Sequence, residues 1–225
     1  MGGGIAMCFA NAGIPVQVVE ADDAALARGL DTVAAYYRSA SARGTLAADE
    51  AETRRARIAG TTDLGAVADA DIVIEAVFED MAVKQQLFAA LDRIAKPDAV
   101  LATNTSYLDV DALARGTSRP ESVVGMHFFS PAHIMRLLEV VRGAATSPET
   151  LSVAMAIGRK IGKIPVVVGV CHGFVGNRMH RVRGTEGERA LLDGALPQDV
   201  DAAMTDFGFP ASRDPAASIA SARPG

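Results

Sequence analysis

The chain opens Met1-Gly2-Gly3-Gly4-Ile5-Ala6-Met7 and then reaches Pro15-Val16-Gln17-Val18-Val19-Glu20, an apolar strand ending in an acid. Strand, G-x-G-x-x-G turn, helix, strand and terminal acid make a dinucleotide-binding βαβ unit, whose glycines let backbone N–H groups approach a pyrophosphate. Here the first strand and the first two turn glycines are absent, and Gly2 can serve as the last one. Glu20 sits where an acid accepts hydrogen bonds from ribose hydroxyls and repels a 2′-phosphate, which favours NAD over NADP. Taken alone, Glu20 reads equally as a solvated strand-end acid, with Asp22 or Asp23 capping the next helix.

Working outward, apolar runs bounded by turn signals alternate with helical patterns. That alternation predicts an α/β chain with a doubly wound, Rossmann-like parallel sheet lacking its first strand. Helices are expected at 3–12, 22–42, 47–57, 81–94 and 148–160. Strands are expected at 15–20, 57–61, 71–77, 98–103, 122–128, 136–142 and 164–168. From Gly173 onward no strand candidate remains, so residues 1–171 read as a cofactor domain and 172–210 as the start of a helical domain. Residues 211–225 are rich in Ala, Ser and Pro and read as an unfolded tail.

Composition narrows the function. Among 225 residues, 22 Lys and Arg against 27 Asp and Glu give a net charge of −5 without a basic block, which argues against nucleic acid as a partner. Cys8 and Cys171 are too few for a disulfide framework and lack metal-ligand spacing, so a reducing cytoplasm fits best. Residues 1–19 carry no charged side chain, but a signal peptide would need a basic start and an apolar core free of Gly2 to Gly4, Asn11 and Pro15. No membrane association is expected.

Three segments carry candidate chemistry. His127 ends one strand and Glu139 lies within the next, so a short turn between the strands could bring them together. A carboxylate amid aliphatics is costly unless paired. Paired with one ring nitrogen of a histidine, it leaves the other free as a base; a purely structural His–Glu pair is the competing reading. Asn104-Thr105-Ser106 ends a strand, where parallel sheets place ligands, and Asn177 opens the first helix of the second domain. Ser106 and Asn177 offer neutral hydrogen bonds to a substrate oxygen, or serve only as turn and helix-start residues. Glu79 and Lys84, read alone, belong to a solvated helix start. His133, His172 and His180 read as non-catalytic.

Together these segments resemble the L-3-hydroxyacyl-CoA dehydrogenase family over about residues 1–210. The motifs, in order, are MGGGIAM, the VVE strand end, DIVIEAVFEDMAVK (71–84), LATNTS (101–106), GMHFFSPAHIMRLLEVV (125–141), GFVGNRM (173–179) and ALPQDVDAAMTDFGFP (195–210). The resemblance implies His127 as general base, Glu139 orienting it, and Ser106 and Asn177 binding the hydroxyl or keto oxygen. It implies Glu79 and Lys84 on the cofactor side with Gly2, Glu20 and Ser106. Ser130 stands where many monofunctional members have a further substrate-binding Asn, and the HFFSPAH form looks more like multifunctional β-oxidation proteins. The implied function is NAD-dependent oxidation of an L-3-hydroxyacyl-CoA, with acyl-CoA as substrate; family members often dimerise through the helical domain. The resemblance stops at Phe209-Pro210, so a sequence truncated at both ends is expected, and a non-catalytic remnant is the rival reading. A hydroxy-acid dehydrogenase of another group is disfavoured, because those generally use a lysine base.

Overall fold

Helix α1 (Gly2–Asn11) is buried continuously from Ile5 to Ala10. A helix apolar on all sides must be packed on all sides. Ile5, Cys8 and Phe9 join one core cluster, while Ala6, Met7 and Ala10 join another. Gly13, in the left-handed region at φ 81°, ends the helix and turns the chain into β1 (Val16–Val19). This computed structural model describes residues 1–209, which fall into a unit of Met1–Phe174 and a second beginning at Val175.

In the first unit, β1 runs parallel to β2 (Ile58–Thr61), Val16 facing Ile58. Helices α2 (Asp23–Ala42) and α3 (Ala48–Arg55) connect them, and the Asp22 carboxylate caps α2 by accepting from the Ala25 amide at 2.7 Å. A second sheet contains β3 (Ile72–Glu75), β4 (Val100–Thr103), β5 (Val123–Phe128), β6 (Leu137–Arg142) and β7 (Ile164–Gly169), in that order. Its pairings are parallel except β5–β6, which is antiparallel. No ladder joins β1 to β3. The doubly wound sheet expected from the sequence is therefore present in two pieces, divided where its first strand was expected to be missing.

Helices α4 (Met81–Ile94), α5 (Val110–Ala114) and α6 (Pro148–Lys160) cover the larger sheet. Strand alternation sorts the layers. Val100, Ala102, Val124 and Met126 face α1 and α6, whereas Leu101, Val123 and Val141 face α4 and α5. By the same alternation His127 falls on the face of Val123 and Gly125, and Glu139 on that of Val141. Gly125 is required there, because a Cβ would lie 2.6 Å from the Val141 Cβ. Helix α5 escaped the sequence reading; it is a single turn whose start is fixed by the Asp109 carboxylate, which accepts from the Asp111 amide at 2.8 Å. Strand β3 is also shorter than expected, since the Val77 amide turns back to donate to the Glu75 carboxylate at 3.1 Å.

The second unit is helical where described, with α7 (Gly176–Leu192) and α8 (Pro197–Asp206) and no strand among the described residues. The expected tail at 211–225 lies outside the described residues. Among those residues no helix is long and apolar enough to cross a membrane, and no group of three His, Cys, Asp or Glu could hold a metal ion.

Candidate active site

The antiparallel ladder sets His127 directly opposite Glu139. Opposed residues point to the same face and come close enough for their side chains to meet. The His127 Nδ1 lies 2.8 Å from Glu139 Oε2, and both residues are buried, at 4% and 1% exposure. On the other side of the ring, Nε2 lies 3.2 Å from the Ser106 hydroxyl. Carboxylate, imidazole and hydroxyl thus form one array at the carboxyl ends of β4 and β5. The Phe129 and Phe174 rings flank the imidazole, with centroids 4.5 and 5.7 Å away. Phe174 is fully buried at φ 45°, a conformation that L side chains adopt only at some cost, so packing on this site holds a strained backbone.

The turn carrying Ser106 is held from both sides. Asn104 Oδ1 accepts from the Phe128 amide at 2.8 Å, tying the end of β4 to that of β5 beside His127. Across the turn, Glu79 Oε1 accepts from the Thr105 hydroxyl at 2.5 Å and from the Ser106 and Tyr107 amides at 2.8 and 3.2 Å. Burial pushes the Glu79 carboxyl up, but those donors and the Lys84 ammonium outweigh it, so its pKa ends below the usual value.

Lys84 stands differently from the expected cofactor contact. It is fully buried on α4, with its Nζ 2.9 and 2.8 Å from the two oxygens of Glu75 and 3.5 Å from Glu79. Its ammonium is consumed inside the protein, because the α4 cap at Asp80 fixes a register in which Lys84 points at the end of β3. The Thr103 hydroxyl also donates to Glu75. The sequence reading singled out neither Glu75, Thr103 nor the tying role of Asn104. An acid inside the apolar run Ile72-Val73-Ile74-Glu75 followed nine residues later by a lysine was the available signal.

The other candidates are dispersed. Ser130 is exposed beyond β5, and Asn177 is half-buried in the first turn of α7, in the second unit. Gly2 begins α1, whose first turn has neither acid nor side-chain cap and whose first backbone bond comes from the Ile5 amide. Glu20 follows β1, half-buried, with its amide donating to Thr61 O at 3.1 Å. His133 packs on Tyr36, and His172 on Tyr107, the residue that follows Ser106.

Comparison with known proteins agrees with this architecture. The family profile described as "3-hydroxyacyl-CoA dehydrogenase, NAD binding domain" matches residues 1–171, and that described as "3-hydroxyacyl-CoA dehydrogenase, C-terminal domain" matches residues 173–213. The chain is 45% identical over 211 residues to the peroxisomal bifunctional enzyme of Cavia porcellus, covering 93% of this chain and 29% of that protein. It is 38% identical to the fatty acid oxidation complex subunit alpha of Shewanella amazonensis, again over 93% of this chain, and covers 30% of that subunit. The chain therefore spans less than a third of either protein's length. Among solved structures, 3-hydroxybutyryl-CoA dehydrogenase from Escherichia coli K12 superposes with a TM-score of 0.89 at 40% identity, covering 93% of this chain and 45% of that one. The dehydrogenase part of multifunctional enzyme 1 from C. elegans gives 0.71 at 33% identity, covering 92% and 48%. The chain belongs to the 3-hydroxyacyl-CoA dehydrogenase family.

Proposed function

We propose that this chain carries the catalytic face for NAD-dependent oxidation of an L-3-hydroxyacyl-CoA to the 3-ketoacyl-CoA, in fatty-acid β-oxidation. The buried Glu139–His127–Ser106 array carries this reading. An ionised carboxylate only accepts, so the imidazole proton bonded to Glu139 is on Nδ1 and Nε2 is the basic nitrogen. Nε2 takes the proton of the substrate 3-hydroxyl as hydride leaves C3, and Glu139 stabilises the imidazolium that results. Ser106, within reach of Nε2, holds the same substrate oxygen, with Asn177 and Ser130 as further substrate contacts.

The residues present fit NAD. The uncapped start of α1, with Gly2 leaving open space, suits a pyrophosphate, and the Glu20 carboxylate suits ribose hydroxyls. When bound, NAD supplies the hydride acceptor. Glu79 borders the same edge, whereas Lys84 acts from within. Dimerisation through the helical unit belongs to this proposal, supported by the exposed Met179, Leu192 and Phe207. So does a cytoplasmic setting, supported by two free thiols.

The test is NADH-dependent reduction of acetoacetyl-CoA by the full chain. His127→Gln should lower kcat about 10²–10⁴-fold with NADH affinity retained. Near-normal turnover by that variant refutes His127 as base, and absence of turnover in the unsubstituted chain favours the non-catalytic alternative.

A further inference from the structure

We infer that Glu79 is a positioning residue, which holds the 105–107 turn by a single carboxylate oxygen so that the Ser106 hydroxyl stays on His127 Nε2. The inference rests on the proposed role of the His127–Ser106 pair, but its geometry stands independently. Three donors from consecutive residues converge on Oε1: the Thr105 hydroxyl and the amides of Ser106 and Tyr107. The Thr105 hydroxyl in turn accepts from the Leu108 amide at 2.9 Å, so the turn is closed around one point. The other oxygen, Oε2, faces the Lys84 ammonium at 3.5 Å, and that ammonium is itself fixed by Glu75.

A chain of contacts therefore crosses the carboxyl edge of the sheet, from β3 through the β4 turn to β5. Three charge-assisted bonds to one oxygen define the turn more tightly than neutral ones could. Without the carboxylate, two backbone amides and a hydroxyl lose their shared acceptor. The Asn104–Phe128 bond still ties the end of β4 to β5, but the Ser106 amide has lost its acceptor, and with it the far side of the turn that sets Ser106 Oγ at 3.2 Å from Nε2. Glu79 acts on the reaction through Ser106, without touching the reacting atoms.

The distinguishing variants are Glu79→Ala, which removes the acceptor, and Glu79→Gln, whose amide oxygen can still take all three donors. The activity-independent readout is the His127 Nε2 resonance in the full chain labelled with ¹⁵N-histidine, assigned by its loss in His127→Gln. Glu79→Ala should move this resonance as Ser106→Ala does, and the double variant should move it no further; Glu79→Gln, with neutral bonds to the same three donors, should move it much less. In acetoacetyl-CoA reduction, Glu79→Ala should lower kcat by about 10²-fold, the cost of roughly ångström misplacement, with KM for NADH held. Glu79→Gln should restore most of that loss. An unmoved Nε2 resonance in Glu79→Ala, or a raised KM for NADH as its main effect, overturns the inference in favour of a cofactor contact. Should Glu79→Ala lose its fold by circular dichroism, Thr105→Ser, which keeps the hydroxyl, must leave the resonance in place. Thr105→Val, which removes a donor to Glu79 and the acceptor of the Leu108 amide, must move it partway; no movement in Thr105→Val overturns the inference. A moved resonance with normal turnover in His127→Gln sustains the Glu79 role and refutes the proposed base.

Discussion

Replacing Lys84 by Met removes the ammonium and keeps most of the side-chain volume. In the structure that ammonium is fully buried, and it bonds both oxygens of a Glu75 side chain that is only 2% exposed. The variant leaves Glu75 with the Thr103 hydroxyl and the Val77 amide as donors, but with no buried counter-charge. Losing one partner of a buried ion pair costs about 3–5 kcal/mol. For a chain of this length each kcal/mol moves Tm by about 2–4 °C, so a fall of about 6–20 °C is expected. Glu75→Gln added to Lys84→Met removes the stranded charge and keeps an oxygen for Thr103. The double variant should recover most of the loss. Urea unfolding followed by circular dichroism measures both, with the midpoint read at constant slope. The reasoning fails if Lys84→Met costs under about 1 kcal/mol, or if the double variant is no more stable than the single one.

Two further outcomes follow from the packing and the charges. Gly125→Ala should cost about 1–3 kcal/mol in the same assay, because the new methyl meets the Val141 Cβ and strands β5 and β6 must separate; an unchanged midpoint would contradict that contact. Burial raises the Asp92 carboxyl, but the Ser118 amide and hydroxyl and the Arg119 guanidinium outweigh it and hold its pKa below the ordinary value. A carboxyl depressed in the folded state stabilises above its unfolded value of about 3.9 and loses that contribution as pH falls through its folded value. Asp92→Asn should therefore cost about 1–3 kcal/mol near neutrality, and the gap from the unsubstituted chain should close as the medium is made acid; parallel stability curves down to the lowest pH at which the chain stays folded would refute it.

The larger sheet and its crossover helices were legible because their apolar runs are long and their turn residues strong. The run 122–128 and its partner 136–142 fixed the strands bearing His127 and Glu139. The antiparallel register that opposes them was conceivable from the short connection, and the ladder supplied it. The interior network was illegible for a physical reason. Glu79 and Lys84 lie at a helix start, where charges are ordinarily solvated, and only the tertiary approach of β3, α4 and the β4 turn removes water from Lys84. Likewise Asn104 looked like any turn residue, and its amide side chain gains meaning only from the neighbouring strand. Helix α5 was too short to leave a period.

The division of the sheet has a thermodynamic corollary. The β1–β2 pair, with α2 and α3, shares no backbone ladder with the five-stranded sheet, and α1 packs into the cores of both. Joined by side-chain packing through α1 and Val16 and not by a ladder, these two halves are positioned to open as separate exchange units, with different amide protection. Glu20 stands on one half and His127 on the other. A dinucleotide gripped by both halves would weld them into one cooperative block and slow exchange at Val16 to Val19, the strand that leads into Glu20.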